Sequence, residues 1–160
     1  MDQKKLANWL KAIIVGVALL GILVCAVVLP SIGKMFMQHY DGEFDYAFWP
    51  DLIFLWVCMI PCFIALLPAW RIADNIGKDR AFSIENAKCF KLISILAAAD
   101  SAFFFIGNIV LLFLWMNHGG FALMSLVFVF IGIAVSVAAA VLSHLVGKAA
   151  KMQDENDLTI

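Results

Sequence analysis

The sequence predicts an all-α integral membrane protein: a four-helix transmembrane bundle with both termini in the cytoplasm. Three observations carry this prediction. The first is composition. Of 160 residues, 64% are hydrophobic and 14% are charged, against roughly 45–50% and about 25% in ordinary globular chains. Mean hydropathy is +0.98, and a chain this short has too little interior to hide that much apolar surface from water. A soluble enzyme, a disordered tail and a nucleic-acid binder are excluded on that ground. The net charge of −1 gives no reason to expect a polyanionic partner.

The second observation is four apolar runs, at 12–30, 51–70, 92–116 and 121–146, followed by a polar tail at 147–160. A bilayer core of about 30 Å needs roughly 20 such residues as a helix. The runs are too long and continuous for the alternating strands of a membrane barrel. The whole chain is one domain. The third is the placement of basic residues. Lys4, Lys5, Lys11, Arg71, Lys78, Arg80, Lys88, Lys91, Lys148 and Lys151 fall on one side of these spans, and only Lys34 falls on the other. Cytoplasmic loops carry the excess of Lys and Arg, so that side is expected to be cytoplasmic. Trp9 and Trp70 then fall at the inner interface, Trp49 and Trp115 at the outer one, and Trp56 deeper, between helices.

The first span starts like a secretory signal peptide. Its length, and the want of a small-x-small site near Pro30-Ser31, predict an uncleaved helix. Ile22-Leu23-Val24-Cys25 has the outline of a lipoprotein cleavage box, but Val24 stands where a small residue is needed. The following loop, 31–50, interleaves acidic and aromatic residues and is expected to be an interfacial linker. Pro61 and Pro68 remove backbone donors inside the second span and predict a kink.

Between spans two and three, Gly77 fits the C′ position that ends a helix, with Lys78-Asp79-Arg80 as the turn. Ser83 is a good N-cap and Glu85 suits the first turn of the next helix. The third helix is therefore expected to start near Ile84, forming a short cytoplasmic knuckle. Asn117-His118-Gly119-Gly120 predicts a tight turn with glycines at positive φ. The tail is expected to be a frayed helix extension or a short linear motif.

Four cysteines make no disulfide framework. Cys25, Cys58 and Cys62 lie in spans, and Cys89 is expected on the cytoplasmic side. Cys58 and Cys62 share a face, but structural zinc needs four ligands. No metal or cofactor is expected. With no nucleophile–base pair and no phosphate-binding glycine loop, no enzymatic activity is expected either.

Inside the spans, Asp100 is the one clear acid. A charge there costs about 2.5–3.5 kcal/mol on insertion scales, so it should face the bundle or water. Ser101 adjoins it and Asn108 lies two turns on along the same face. Ser136, Ser143 and His144 of the fourth span are its expected partners, Ser136 being nearest in depth. Asp100, Ser101, Asn108, Ser136 and His144 are thus the candidate ligand or ion residues. Gly132, Ser136 and Ala140, and also Ala139, Ser143 and Gly147, form small-xxx-small rows that serve the bundle or a homodimer.

The knuckle runs Ile72-Ala73-Asp74-Asn75-Ile76-Gly77 and then Ala81-Phe82-Ser83-Ile84-Glu85-Asn86. The tail ends Glu155-Asn156-Asp157-Leu158-Thr159-Ile160. In these segments the chain resembles the small four-span bacterial integral membrane proteins grouped as a domain of unknown function. The resemblance spans nearly the whole chain. Members of that family are often encoded beside a very small helix-turn-helix regulator. The resemblance therefore implies such a regulator as partner and the bacterial inner membrane as location. It carries over no catalytic residues.

The first functional expectation is a regulatory or sensory subunit. It would hold a cytoplasmic partner through Phe82, Ser83, Glu85 and Asn86 of the knuckle and Asp157, Leu158, Thr159 and Ile160 of the tail. The alternative is a small dimeric transporter or efflux protein using Asp100. A third, weaker expectation is immunity against a membrane-active peptide.

Overall fold

In the computed structural model, residues 3–39, 45–117 and 119–157 are described, and among them there is no strand. The chain runs α1 (Gln3–Leu23), a π-turn (Val24–Val28), α2 (Leu29–His39), a 3₁₀ turn (Asp45–Ala47), α3 (Phe48–Gly77), α4 (Ile84–Phe113) and α5 (Gly119–Asp157). Four helical stretches are long and apolar enough to cross a membrane, the first being α1 continued through α2. At most 17% of the most apolar window of any stretch is buried within the protein. Lipid, not a protein core, must therefore cover the rest.

The π-turn leaves one carbonyl to be satisfied from outside its own helix. The Leu29 N–H bonds to Val24 O, five residues back. In that register Cys25 O needs the N–H of residue 30, which is proline and has none. An unpaired carbonyl at membrane depth costs several kcal/mol. Trp56 of α3 removes the cost: its indole N–H donates to Cys25 O at 3.0 Å. The deep tryptophan thus lies between helices, as expected, and joins the π-turn to α3.

Helix α3 runs unbroken through Pro61 and Pro68. Its end corrects the expected role of Gly77, which is the last helical residue and not C′. Asp79 takes that place, at φ 58°. Arg80 N–H reaches Asn75 O and Asp79 N–H reaches Ile76 O, at 2.9 and 3.2 Å, the double bond of a Schellman ending. Gly77 is small for another reason: a Cβ there would lie 3.0 Å from the Cβ of Ala7, so it lets α1 approach. One turn back, Lys11 pairs with Asp74 and lies 5.3 Å from the Trp70 ring centre.

Helix α4 starts as expected. Ser83 is extended, at φ −128° and ψ 151°, and its side chain accepts from Asn86 N–H. Its far end differs from expectation. Trp115 holds the positive φ, again 58°, with Met116 N–H on Leu111 O and Trp115 N–H on Leu112 O. Gly119 and Gly120 already belong to α5, and His118 lies outside the described residues. Helix α5 stays helical to Asp157. Its 39 residues measure about 58 Å at 1.5 Å each, so its polar end projects well beyond the spans at the knuckle end.

The helices neighbour one another in the order α1, α3, α4, α5, with α4 and α5 in closest association. The small-residue rows explain that last pair. Gly132 leaves room for Ser101, where a Cβ would lie far too close to the Ser101 hydroxyl, and Gly147 faces Ala87 in ordinary contact. Ser136 Oγ donates to Ser94 O at 2.9 Å and Ser143 Oγ to Ala87 O at 2.7 Å. Both rows are therefore used within the chain. Between α3 and α4, the Phe54 ring fills the notch at Gly107 and stacks on Phe104 at 5.8 Å.

Candidate functional site

The polar residues inside the spans do not form one site. Asp100 faces α3, not α5. Its Oδ2 accepts from the Cys62 thiol at 3.7 Å, while its Oδ1 is sealed from solvent without a partner. Ser101 Oγ donates to Ala97 O of its own helix at 2.7 Å. Asn108 donates to Phe104 O at 2.8 Å and accepts from Asn117 at 3.2 Å. Ser136 meets Ser94, and His144 is exposed on the surface of α5. The shared face of Asp100, Ser101 and Asn108 is thus divided among three jobs. The fourth span offers Asp100 none of the expected partners. Packing geometry is the reason: Ser136 and Ser143 spend their hydroxyls on α4 carbonyls.

The knuckle residues do come together. Asn86 is fully buried. Its Nδ2 donates to Arg80 O at 3.2 Å and to Ala81 O at 2.9 Å, and its Oδ1 accepts from Asn75 Nδ2 at 2.8 Å. Together with the Ser83 cap, this closes the polypeptide between α3 and α4 into a rigid clasp. Phe82 and Glu85 project from it, Phe82 with 61% of its surface exposed.

Beside the clasp the projecting end of α5 completes a groove of about 310 Å³. Arg80, Phe82, Ser83 and Glu85 line one wall, and Gln153 and Asp154 line the other. Ala150, at 3% exposure, forms the floor. Three of the knuckle residues named from sequence, Phe82, Ser83 and Glu85, are therefore on this surface, while Asn86 holds the wall up from behind. Of the tail residues, Leu158, Thr159 and Ile160 lie outside the described residues, as do Tyr40 to Phe44 of the long loop. Asp157 ends α5.

The α5 wall was not foreseen. Its signal is the i, i+3, i+4 spacing of Ala150, Gln153 and Asp154, which share a helix face. The Cys62–Asp100 contact was also legible in principle, because the two lie almost equally far from the knuckle on antiparallel helices. Phe54 and Gly107 obey the same rule. No group of three or more His, Cys, Asp or Glu side chains able to hold a metal occurs among the described residues.

Comparison with known proteins identifies the family of the chain. Residues 33–160 match a family described as protein of unknown function DUF2975, a stretch that includes the knuckle, the groove and the tail. The chain belongs to the DUF2975 family. This DUF2975 chain is also 27% identical over 150 residues to the uncharacterized membrane protein YoaS of Bacillus subtilis strain 168, with 92% of each chain covered. No solved structure matches. The chain is thus a multi-pass membrane protein, as the composition predicts. The family match begins inside α2, so it leaves out α1 and the π-turn.

Proposed function

We propose that this protein is a non-enzymatic regulatory or sensory subunit of the bacterial inner membrane, with both termini inside, that docks a cytoplasmic protein at its knuckle. The observation that carries the reading is the groove between the Asn86 clasp and the end of α5. A loop whose only task was to join two spans needs no buried asparagine clasp, no exposed phenylalanine and no helix carried beyond the spans to face it. Large apolar side chains rimmed by polar ones mark interaction surfaces. The family resemblance makes a small helix-turn-helix regulator the first partner to look for.

The test is a photo-crosslinking residue placed at Phe82 in living cells, in the full chain and in a chain lacking its last eight residues. The expected result is one cytoplasmic partner, captured by the full chain and weakly or not at all by the truncated one. Capture of nothing in either chain overturns the reading.

A second reading is favoured by one observation: the partnerless, sealed Oδ1 of Asp100. A carboxyl placed this way suits a proton or small cation carried through the membrane. In that case Asp100→Asn abolishes ion flux into proteoliposomes while the protein still folds. Unchanged flux removes this reading.

A further inference from the structure

The groove at the knuckle has a charge pattern that narrows what can occupy it. On the side of α3 and α4 it is lined by Asp79 and Glu85, and on the side of α5 by Asp154. Arg80 is the single basic residue in its lining. None of the three carboxylates has a basic partner within ion-pair distance among the described residues. Lys78, Lys88, Lys148 and Lys151 lie at the same end of the molecule but do not line the groove. The groove itself is therefore net acidic, with the ring of Phe82 exposed on its wall and Ala150 at its floor.

These features select one occupant. An anionic lipid headgroup or a phosphate would meet three unpaired carboxylates at close range, and like charges in juxtaposition are unfavourable. The tail of this same chain is a poor fit for the same reason, since it carries Asp154, Glu155 and Asp157. A volume of about 310 Å³ sits at the lower limit of ligand pockets. It suits a few side chains of a peptide better than a cofactor. Resting on the docking reading above, we infer that the groove receives a segment of another cytoplasmic protein that carries lysine or arginine next to an apolar side chain. The apolar residue packs on Phe82 and Ala150, and the cationic groups face Glu85, Asp79 and Asp154.

The experiment uses the full chain in nanodiscs of zwitterionic phosphatidylcholine, so that a cationic peptide has no lipid charge to bind. The probe is a short synthetic peptide of lysine, arginine and leucine, labelled for fluorescence anisotropy, with a glutamate-for-lysine-and-arginine version as comparison. The expected result is binding of the basic peptide alone, weakening as salt is raised, because exposed charge pairs are screened. Glu85→Gln with Asp154→Asn weakens it about tenfold and flattens the salt dependence. Phe82→Ser weakens it at every salt concentration. Lys78→Gln, a basic position outside the groove, changes nothing. Glu85→Lys with Asp154→Lys transfers the preference to the acidic peptide. Equal binding of both peptides, binding of neither, or indifference to the groove substitutions overturns the inference. The crosslink at Phe82 separates this failure from failure of docking itself. A partner held through an acidic or uncharged segment, or a second copy of this chain, overturns the inference and leaves a docking surface in place. Absence of any crosslink overturns both.

Discussion

The two turns that bound α4 solve one problem with different residues. Each must end or reverse a long apolar helix, and each places a residue other than glycine at φ 58°. At the knuckle that residue is Asp79. Aspartate tolerates the left-handed region, because its short polar side chain bonds locally. The turn is then secured from inside by Asn86, with all its amide atoms engaged. At the opposite end the residue is Trp115, a bulky side chain that this region penalises. There the support is lighter: Asn117 donates to Asn108 at 3.2 Å, and Tyr46 donates to Trp115 O. The indole is 81% exposed. The knuckle is a low-strain, internally bonded platform, as a surface that holds a partner should be. The opposite turn accepts backbone strain in order to present an aromatic ring at the depth where membranes favour one.

Six substitutions break or sharpen this contrast. Asn86→Ala has the largest expected effect. It removes three hydrogen bonds, one of them buried and two part-buried, and at about 1 kcal/mol each it costs about 3 kcal/mol. Its counterpart Asn117→Ala costs about 1 kcal/mol. Equilibrium unfolding in mixed micelles measures both, and equal losses would erase the difference between the turns. Next comes Trp115→Gly, which relieves the left-handed backbone and raises stability in detergent by about 1 kcal/mol. Asp79→Gly should gain no more than a few tenths, so a larger gain at Asp79 reverses the assignment of strain. Ser83→Ala removes the cap on α4 and costs about 1 kcal/mol, read as faster amide hydrogen exchange at Asn86 and Ala87. The smallest of the losses belongs to Tyr46→Phe. It deletes one exposed hydrogen bond and lowers stability by about 0.5 kcal/mol, leaving the knuckle unaffected.

Much of this architecture was legible before any coordinates. The Ser83 cap and the start at Ile84 were read from residue types, because capping is local chemistry. The ends named from glycine were misread. Gly77 and Gly119 looked like turn residues, yet Gly77 makes room for Ala7 and Gly119 opens α5. A glycine is favoured equally by positive φ and by close approach, and only the neighbouring helix tells which applies. Asp100 stands out in the sequence as the one clear acid within the spans. Its partner was sought on α5 because depth was counted without rotation, and rotation is what turns Asp100 toward Cys62 and Ser101 toward Gly132.

What the sequence by itself determined is residence in a membrane and the division into four long apolar helices. It also located the knuckle residues that form the groove wall. Hydropathy and capping act within a few residues, so no tertiary information is needed to read them. What only the tertiary structure decided is which faces meet. It assigned the small-residue rows to the α4–α5 contact, gave the carbonyl freed by Pro30 to Trp56, and set the end of α5 against the knuckle to make a groove. Those outcomes depend on helix rotation, neighbour order and register. In lipid these are set by close packing and by hydrogen bonds between helices, which join residues far apart in the chain.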